Sequence, residues 1–291
     1  MSIALIRSID ALHKEVRAWR DADLSVGVVP TMGALHGGHL RLVGAALEVC
    51  ERVIVTVFVN PTQFGPNEDF SVYPRDEAGD RDLAGAAGAH MVFVPGVDDV
   101  YPGVHPGVHP GGGTSEVHVP MLDGVWEGAS RPGHFTGVAT VVAKLLLMCR
   151  AEHAFFGEKD FQQLQVIRAV VRDLFIPTMV HGVATVRAED GLALSSRNAY
   201  LSPSERALAP RLNAVLVAVA RGFRAGEDSV SLCRNGQREL VDVGFGPVDY
   251  LAIVDGETLQ SLDRYQPGRA ARVVVAARLG RTRLIDNVAV K

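Results

Sequence analysis

The sequence predicts an α/β fold, a doubly wound parallel sheet followed by a smaller α+β domain. Over residues 1–176, β-branched runs suited to a sheet covered on both faces alternate with segments of helical periodicity. A glycine-rich stretch joins an early strand to the helix after it, and past Pro177 the order changes to a helix followed by strands. At 291 residues the chain is long enough for two domains of roughly 150 residues each. The expected division is 1–176 and 177–291.

Ser8 stands where a helix cap belongs, before Ile9, Leu12, Val16 and Trp19 at helical spacing, and Leu24 to Val29 reads as a buried strand. After the glycine-rich turn, Leu40, Val43, Leu47 and Cys50 form one helical face starting at His39, and Val53 to Val59 reads as a fully buried strand. Further on, Met91 to Val94 is a short strand, Val138 to Met148 a helix, Ala154 to Phe156 a strand and Phe161 to Phe175 a helix. Val100 to Gly113, with its tandem GVHP, reads as an exposed loop; His105 and His109 there lack the third ligand and orienting partners a metal needs. Ser202, Pro203 and Glu205 make a cap, a first-turn proline and a capping box before a helix carrying Leu208, Leu212, Val215 and Val219. Val248 to Val254 and Ala271 to Arg278 are strands, and a turn at Leu279 to Thr282 leads into Arg283 to Asp286.

Composition narrows the function classes. With 47% hydrophobic and 21% charged residues, 30 Gly and 15 Pro, the chain is neither disordered nor collagen-like. A net charge of −4 gives no global field toward nucleic acid or an anionic membrane, so an anionic ligand needs a local site. Cys50, Cys149 and Cys233 are far apart and in neither C-x-x-C nor zinc spacing, as expected of reduced thiols in a cytoplasm. Arg7 and Asp10 precede any long apolar stretch, so neither a signal peptide nor a membrane anchor is expected at the start. Val138 to Cys149, interrupted by Lys144, is too short to span a bilayer.

The sharpest chemical signal is PTMGALHGGHL, Pro30 to Leu40, between a strand and a helix. Gly33, Gly37 and Gly38 let backbone N–H groups approach an anion, and the helix N-terminus adds partial positive charge. His36 and His39, three apart, can both donate to charge developing on a phosphoryl oxygen. Asn60 and Gln63 follow a buried strand at its carboxyl end, where open α/β sheets bind ligands; Asn60 with Pro61 also reads as a plain turn. Lys159 and Asp160 stand where a strand hands over to a helix. There Asp160 suits a cap or a ligand orienter, and the lysine is either solvated or paired with an anion. Ser195, Ser196 and Arg197 suit phosphate oxygens. With no adjacent histidine and no G-x-S-x-G, they do not read as a hydrolase nucleophile.

The H-x-G-H of His36 to His39 is similar to that of the nucleotidylyltransferase superfamily, and the longer string resembles the pantothenate synthetase family of pantoate and β-alanine ligases. FVNPTQF (Phe58 to Phe64), SRPGHF (Ser130 to Phe135), FGEKDFQQ (Phe156 to Gln163) and LSSRN (Leu194 to Asn198) fit that family in order. The resemblance spans about residues 1–205 and implies a Rossmann-like nucleotide- and pantoate-binding domain, with a lid and dimerisation domain after it. It implies ATP and Mg²⁺, the substrates pantoate and β-alanine, an acyl-adenylate intermediate and a homodimer. By resemblance ATP is held by Met32, Gly33, Ala34, Leu35, His36, Gly37, Gly38 and His39, by Gly157, Glu158, Lys159 and Asp160, and by Val186, Leu194, Ser195, Ser196 and Arg197. The catalytic set it implies is His36, His39, Lys159, Ser195, Ser196 and Arg197. Gln63 and Gln163 hold the pantoate, with Asn60 beside them; Arg131 and His134 are either substrate contacts or lid architecture, and Asp80 falls near the magnesium. Leu194 replaces a usual methionine. Another nucleotidylyltransferase would need basic residues around its acceptor, a tRNA synthetase a KMSKS segment, and a nucleotide sensor would bind ATP without turnover.

Overall fold

A computed structural model describes residues 3–66, 68–103 and 115–291. The tandem GVHP segment, with His105 and His109, lies outside the described residues. The chain divides into two compact units, one of residues 1–158 and 166–184, the other of residues 159–165 and 185–291.

In the first unit the described residues build a six-stranded, all-parallel sheet. Its strands are β1 (Ala4–Ile6), β2 (Val26–Thr31), β3 (Arg52–Val57), β4 (Met91–Phe93), β5 (His153–Gly157) and β6 (Met179–Val183), in the order β1-β4-β3-β2-β5-β6. Val29, Val53, Val55 and Val92 pack on one face. Val28, Ile54, Met91 and Phe93, of opposite parity, are also at most 1% exposed, so both faces are covered as the β-branched runs require. From β2 the chain builds outward through β3 and β4, then crosses back to place β5 on the other side of β2. The β2–β5 ladder holds only Gly27 opposite His153 and Val28 opposite Ala154. The flanking ladders continue to Thr31 opposite Val57 and Gly157 opposite Val183. The carboxyl halves of β2 and β5 therefore part, which opens a crevice at the topological switch point.

Helix α1 (Ile9–Asp21) is capped by Ser8, whose Oγ accepts from the Ala11 N–H, and buries Leu12 and Val16 as the periodicity predicts. Helix α2 (Gly37–Leu47) instead starts at Gly37 and buries Leu42, Val43 and Ala46; Cys50 lies beyond its end and Leu47 is exposed. Helix α3 (Glu77–Ala86) is capped by Asp76. Helix α4 (His134–Cys149) begins four residues before the expected start, after Gly133 in the left-handed region (φ +81°). Thr136 lies inside its first turn, its hydroxyl donating to Asp123 at 3.0 Å. Helix α5 (Phe161–Asp173) follows β5.

Two strands escape the sequence reading. β1 is three residues long, and β6, MVHGV, carries a histidine and a glycine where a buried run would be apolar. β6 lies beyond residue 177 and pairs with β5, so the large sheet continues past the division expected there.

The second unit is α+β. Its strands β7 (Phe245–Asp255), β8 (Ala271–Leu279) and β9 (Thr282–Ala289) are antiparallel in the order β7-β8-β9. The single helix expected after Ser202 is two, α6 (Pro203–Leu208) and α7 (Arg211–Arg224), with Pro210 as the N-cap residue of the second. Pro210 lacks the N–H that would continue the helical ladder, so the apolar period runs on while the helix does not. The Ser202–Glu205 capping box is present. Helix α8 (Ser229–Asp242) gives little apolar signal because its buried positions are Ser229, Gly236 and Leu240. A Cβ at Gly236 would sit 3.1 Å from both Val215 and Val219.

Asp286 on β9 is 3% exposed and receives both guanidinium arms of Arg187, at 2.7 and 2.9 Å. Replacing Asp286 by Ala leaves a part-buried guanidinium, 23% exposed, without its carboxylate, which costs about 1–3 kcal/mol. The expected result is a large loss of hydrogen-exchange protection at the β8 and β9 amides; unchanged protection would mean that the pair contributes nothing to the stability of this sheet.

Candidate active site

The crevice at the end of β2 is lined first by the turn from Met32 to Leu35. Thr31 Oγ1 donates to the Thr56 carbonyl at 2.7 Å and accepts from the Gly33 N–H at 3.1 Å, which turns the chain sharply off the strand. Gly33 (φ +81°) and Ala34 (φ +51°) are both left-handed. A Cβ on Gly33 would also meet Asp80 Oδ2 at 2.7 Å and Val57 at 3.1 Å. Asp80, on α3 and 3% exposed, accepts from the Ala34 N–H at 3.0 Å and the Leu35 N–H at 2.7 Å. Burial pushes its carboxyl above the usual range, against the pull of those two N–H groups. In this structure the donors at Asp80 are backbone amides, and its carboxylate shapes the turn. Among the described residues no group of three or more His, Cys, Asp or Glu is arranged to hold a metal.

His36 and His39 cap α2 reciprocally. The Gly38 N–H donates to His36 Nδ1 at 3.1 Å, and the His36 N–H donates to His39 Nδ1 at 3.2 Å. The ring centroids are 4.1 Å apart. Because each Nδ1 is an acceptor, each neutral ring carries its proton on Nε2. The helix terminus thus presents a pair of Nε2–H donors of set tautomer, where its dipole already favours an anion. Glycine at 38 serves this contact: a Cβ there would press on His36 Cε1 at 2.8 Å.

Asn60 and Gln63 follow β3 on a 3-10 turn, Pro61–Gln63, and are 1% and 9% exposed. Asn60 spends its amide internally. Oδ1 accepts from Tyr101 Oη at 2.7 Å and from Thr62 Oγ1 and N, while Nδ2 donates to Gln63 Oε1 at 3.1 Å and to the Gly137 carbonyl at 3.2 Å. Gln63 Nε2 lies 2.9 Å from Met32 Sδ. Asn60 thus braces Gln63. Gly137 permits the approach of α4, since a Cβ there would fall 2.5 Å from the Thr62 carbonyl.

Arg131 and His134 are also architectural. Arg131 Nε donates to Glu68 Oε1 at 2.7 Å, a second arm reaches Glu127 Oε1 at 3.4 Å, and Nη2 donates to the Gln63 carbonyl at 3.3 Å. His134 Nδ1 donates to the same carbonyl at 2.8 Å, so its Nε2 accepts from Arg131 Nη1 at 3.0 Å. Burial and the neighbouring Arg131 push the His134 pKa down to about 4, from 6.5. The unfolded chain takes up this proton near pH 6.5 and the folded one only near pH 4. Stability from this group is thus present above pH 6.5 and lost as pH falls toward 4, by about 3 kcal/mol in all. In urea titrations across that range, His134→Gln should flatten the decline; an identical slope would contradict the assignment.

Of the other expected nucleotide residues, Gly157 and Glu158 close the first unit and the rest belong to the second. Glu158–Asp160 form a 3-10 turn after β5 and Gly157, with Lys159 Nζ 3.7 Å from Asp160 Oδ1. Asn287 Nδ2 donates to the Lys159 carbonyl at 2.8 Å, and Arg272 both donates to Asn287 Oδ1 at 2.6 Å and stacks 3.8 Å over Phe161. Gln163, in the first turn of α5, is half-buried. Val186 and Leu194, eight residues apart, are brought together by a hairpin: the Leu194 N–H donates to the Val186 carbonyl at 2.9 Å around a turn at Gly191 (φ +92°). Ser195 caps the 3-10 turn Ser196–Tyr200, its Oγ accepting from the Arg197 N–H at 3.3 Å. Asn287, Tyr101, Glu68 and Glu127 are the members of these networks that no local pattern in the sequence identifies.

A parallel sheet split at its switch point, a glycine turn and a paired-histidine helix cap define a nucleotide-binding α/β enzyme of the H-x-G-H class. The chain belongs to the pantoate-beta-alanine ligase family, whose model matches residues 4–289. It is similar to the pantothenate synthetase of Paramagnetospirillum magneticum, 50% identical over 290 residues, covering 100% of this chain and 99% of that one. The crystal structure of pantothenate synthetase from Thermus thermophilus superposes with a TM-score of 0.88 at 47% identity, covering 99% of both chains. That of pantoate-beta-alanine ligase from Francisella tularensis, complexed with beta-gamma ATP and beta-alanine, superposes with a TM-score of 0.81 at 31% identity, covering 99% of this chain and 97% of that one. Among the described residues no helix is long and apolar enough to cross a membrane.

Proposed function

We propose that the chain joins pantoate to β-alanine in two half-reactions on MgATP. A carboxylate has no good leaving group toward an amine, so it is first activated: a pantoate oxygen attacks the α-phosphorus, and the bond to pyrophosphate breaks. The β-alanine nitrogen, as free base, then attacks the acyl carbon; the bond to AMP breaks and the nitrogen sheds a proton. The reciprocal histidine cap on α2 is the observation that carries this reading. Pantoate is already ionised and needs no base, so catalysis rests on placement and on stabilising charge at the phosphates.

His36 and His39 direct Nε2–H donors at the phosphate being attacked, above the turn that Asp80 braces. Gln63, with its Oε1 engaged by Asn60, turns its amide N–H₂ toward pantoate oxygens, and Gln163 contributes a second neutral amide. Lys159, Ser195, Ser196 and Arg197 neutralise the departing pyrophosphate. Magnesium would be held by the ATP phosphates, the usual habit of this cation, and would offset their charge. Val186 and Leu194 pair across their hairpin as an apolar contact for the nucleotide.

The second unit serves as lid and dimerisation domain, the free thiols suit a cytoplasm, and the assembly is a homodimer. Exposed Phe175 and Met179 beside the edge strand β6 support a partner on the first unit as well; a monomer on sedimentation at micromolar concentration would remove the dimer. The test of the reaction is pantoate-dependent exchange of labelled pyrophosphate into ATP without β-alanine. Exchange is expected; its absence with ATP still bound would overturn the two-step reading.

A further inference from the structure

We infer that Tyr101 is a positioning residue for the acid substrate, acting through Asn60 on Gln63. The inference rests on the reading of Gln63 as a holder of pantoate. Tyr101 follows the short helix Val97–Val100, is fully buried, and donates its phenol to Asn60 Oδ1 at 2.7 Å. Thr62 adds its N–H and hydroxyl to the same oxygen, and its hydroxyl also lies 3.1 Å from Tyr101 Oη. On its other side, Asn60 Nδ2 meets two acceptors, Gln63 Oε1 and the Gly137 carbonyl. Turned over, the Asn60 amide would set N–H₂ against the Thr62 N–H and a carbonyl against the Gly137 carbonyl, so these two backbone groups fix the orientation, in which the Tyr101 and Thr62 hydroxyls donate. That orientation propagates. Gln63 Oε1 is engaged as an acceptor, and the N–H₂ is what Gln63 presents beside Met32. Such a group binds a carboxylate or hydroxyl oxygen and disfavours a cationic or amide donor in its place.

Two features hold Tyr101 to this task. Lys144 Nζ lies 4.9 Å over its ring and donates to the Val100 carbonyl at 2.8 Å, which anchors the segment to α4. Burial raises the pKa of the phenol, so it remains a donor through the range in which the enzyme is assayed.

The test is Tyr101→Phe, which keeps the ring and removes one donor. The expected result is an increase of about tenfold in KM for pantoate, the size of one buried hydrogen bond, with KM for ATP nearly unchanged and the thermal midpoint lowered by only about 2–4 °C. Thr62→Val, which removes the other hydroxyl on Asn60, should move the same constant in the same direction. In a Gln63→Ala background Tyr101→Phe should have no further effect on KM for pantoate. Unchanged pantoate kinetics in both single variants, or effects that simply multiply with Gln63→Ala, would overturn the inference while leaving Gln63 in place. Gln63→Ala with normal KM for pantoate would instead overturn the reading on which it rests.

Discussion

Replacing His39 by Ala should slow pantoyl-adenylate formation by about a hundred- to a thousandfold, the scale on which a single preorganised donor to a developing anion acts. The ring's Nδ1 is committed to the His36 N–H, so the catalytic contact is made by Nε2–H, which gains most when charge builds on the phosphate. KM for ATP should therefore change only a few-fold, because the ground-state nucleotide keeps its other contacts. The variant also loses one half of the α2 capping box, at a cost of about 1 kcal/mol. A drop in unfolding free energy of that order leaves the enzyme folded at assay temperature and separates the two roles. Loss of ATP affinity in parallel with turnover would make His39 a binding group and sink the transition-state assignment.

Lys159→Met should have the second largest effect, again at least about a hundredfold on adenylation, but with KM for ATP raised as well. The difference follows from chemistry. A lysine on the β- and γ-phosphates meets full charge in the ground state, whereas the histidines meet charge that develops during reaction. In the protein Lys159 has Asp160 at 3.7 Å, and that carboxylate side chain is 44% exposed, so the ion pair contributes little to folding. The thermal midpoint should hardly move. Lys159→Arg should rescue poorly, since a planar fork does not reproduce a compact ammonium charge. Full rescue by Arg, or wild-type turnover in Lys159→Met, would remove the lysine from the phosphates.

What could be read in the sequence, and what could not, divides along contact range. His36 and His39 were legible because three residues of spacing after a strand and before a helix set their relation locally. Their reciprocal capping was not, because it depends on the extended backbone of His36 (φ −144°) and on Gly38 allowing the ring close. Asn60 was legible as polar, but its bracing was not: the partners that engage its amide, Tyr101 and Gly137, are 41 and 77 residues away in sequence. Asp80 likewise looks like any acidic residue of an amphipathic helix until the turn at Ala34 and Leu35, more than forty residues earlier, is placed against it. The strands β2 and β3 announced themselves through β-branched runs buried on both faces, and β4 and β5 through short apolar segments. The edge strands β1 and β6 did not: β1 is only three residues long, and β6 carries His181 and Gly182 in its middle. Pro210 was visible throughout, yet the apolar period around it is continuous, and only its missing N–H divides α6 from α7.

Pantoate labelled with ¹⁸O in its carboxylate tests the account most directly. If the acid attacks the α-phosphorus and the amine then displaces AMP, one labelled oxygen must leave with the nucleotide and the other stay in the amide. After one turnover with β-alanine, mass spectrometry of the AMP should show a single ¹⁸O in its phosphate. AMP without label, or label found only in pyrophosphate or phosphate, would contradict an acyl adenylate formed at this site.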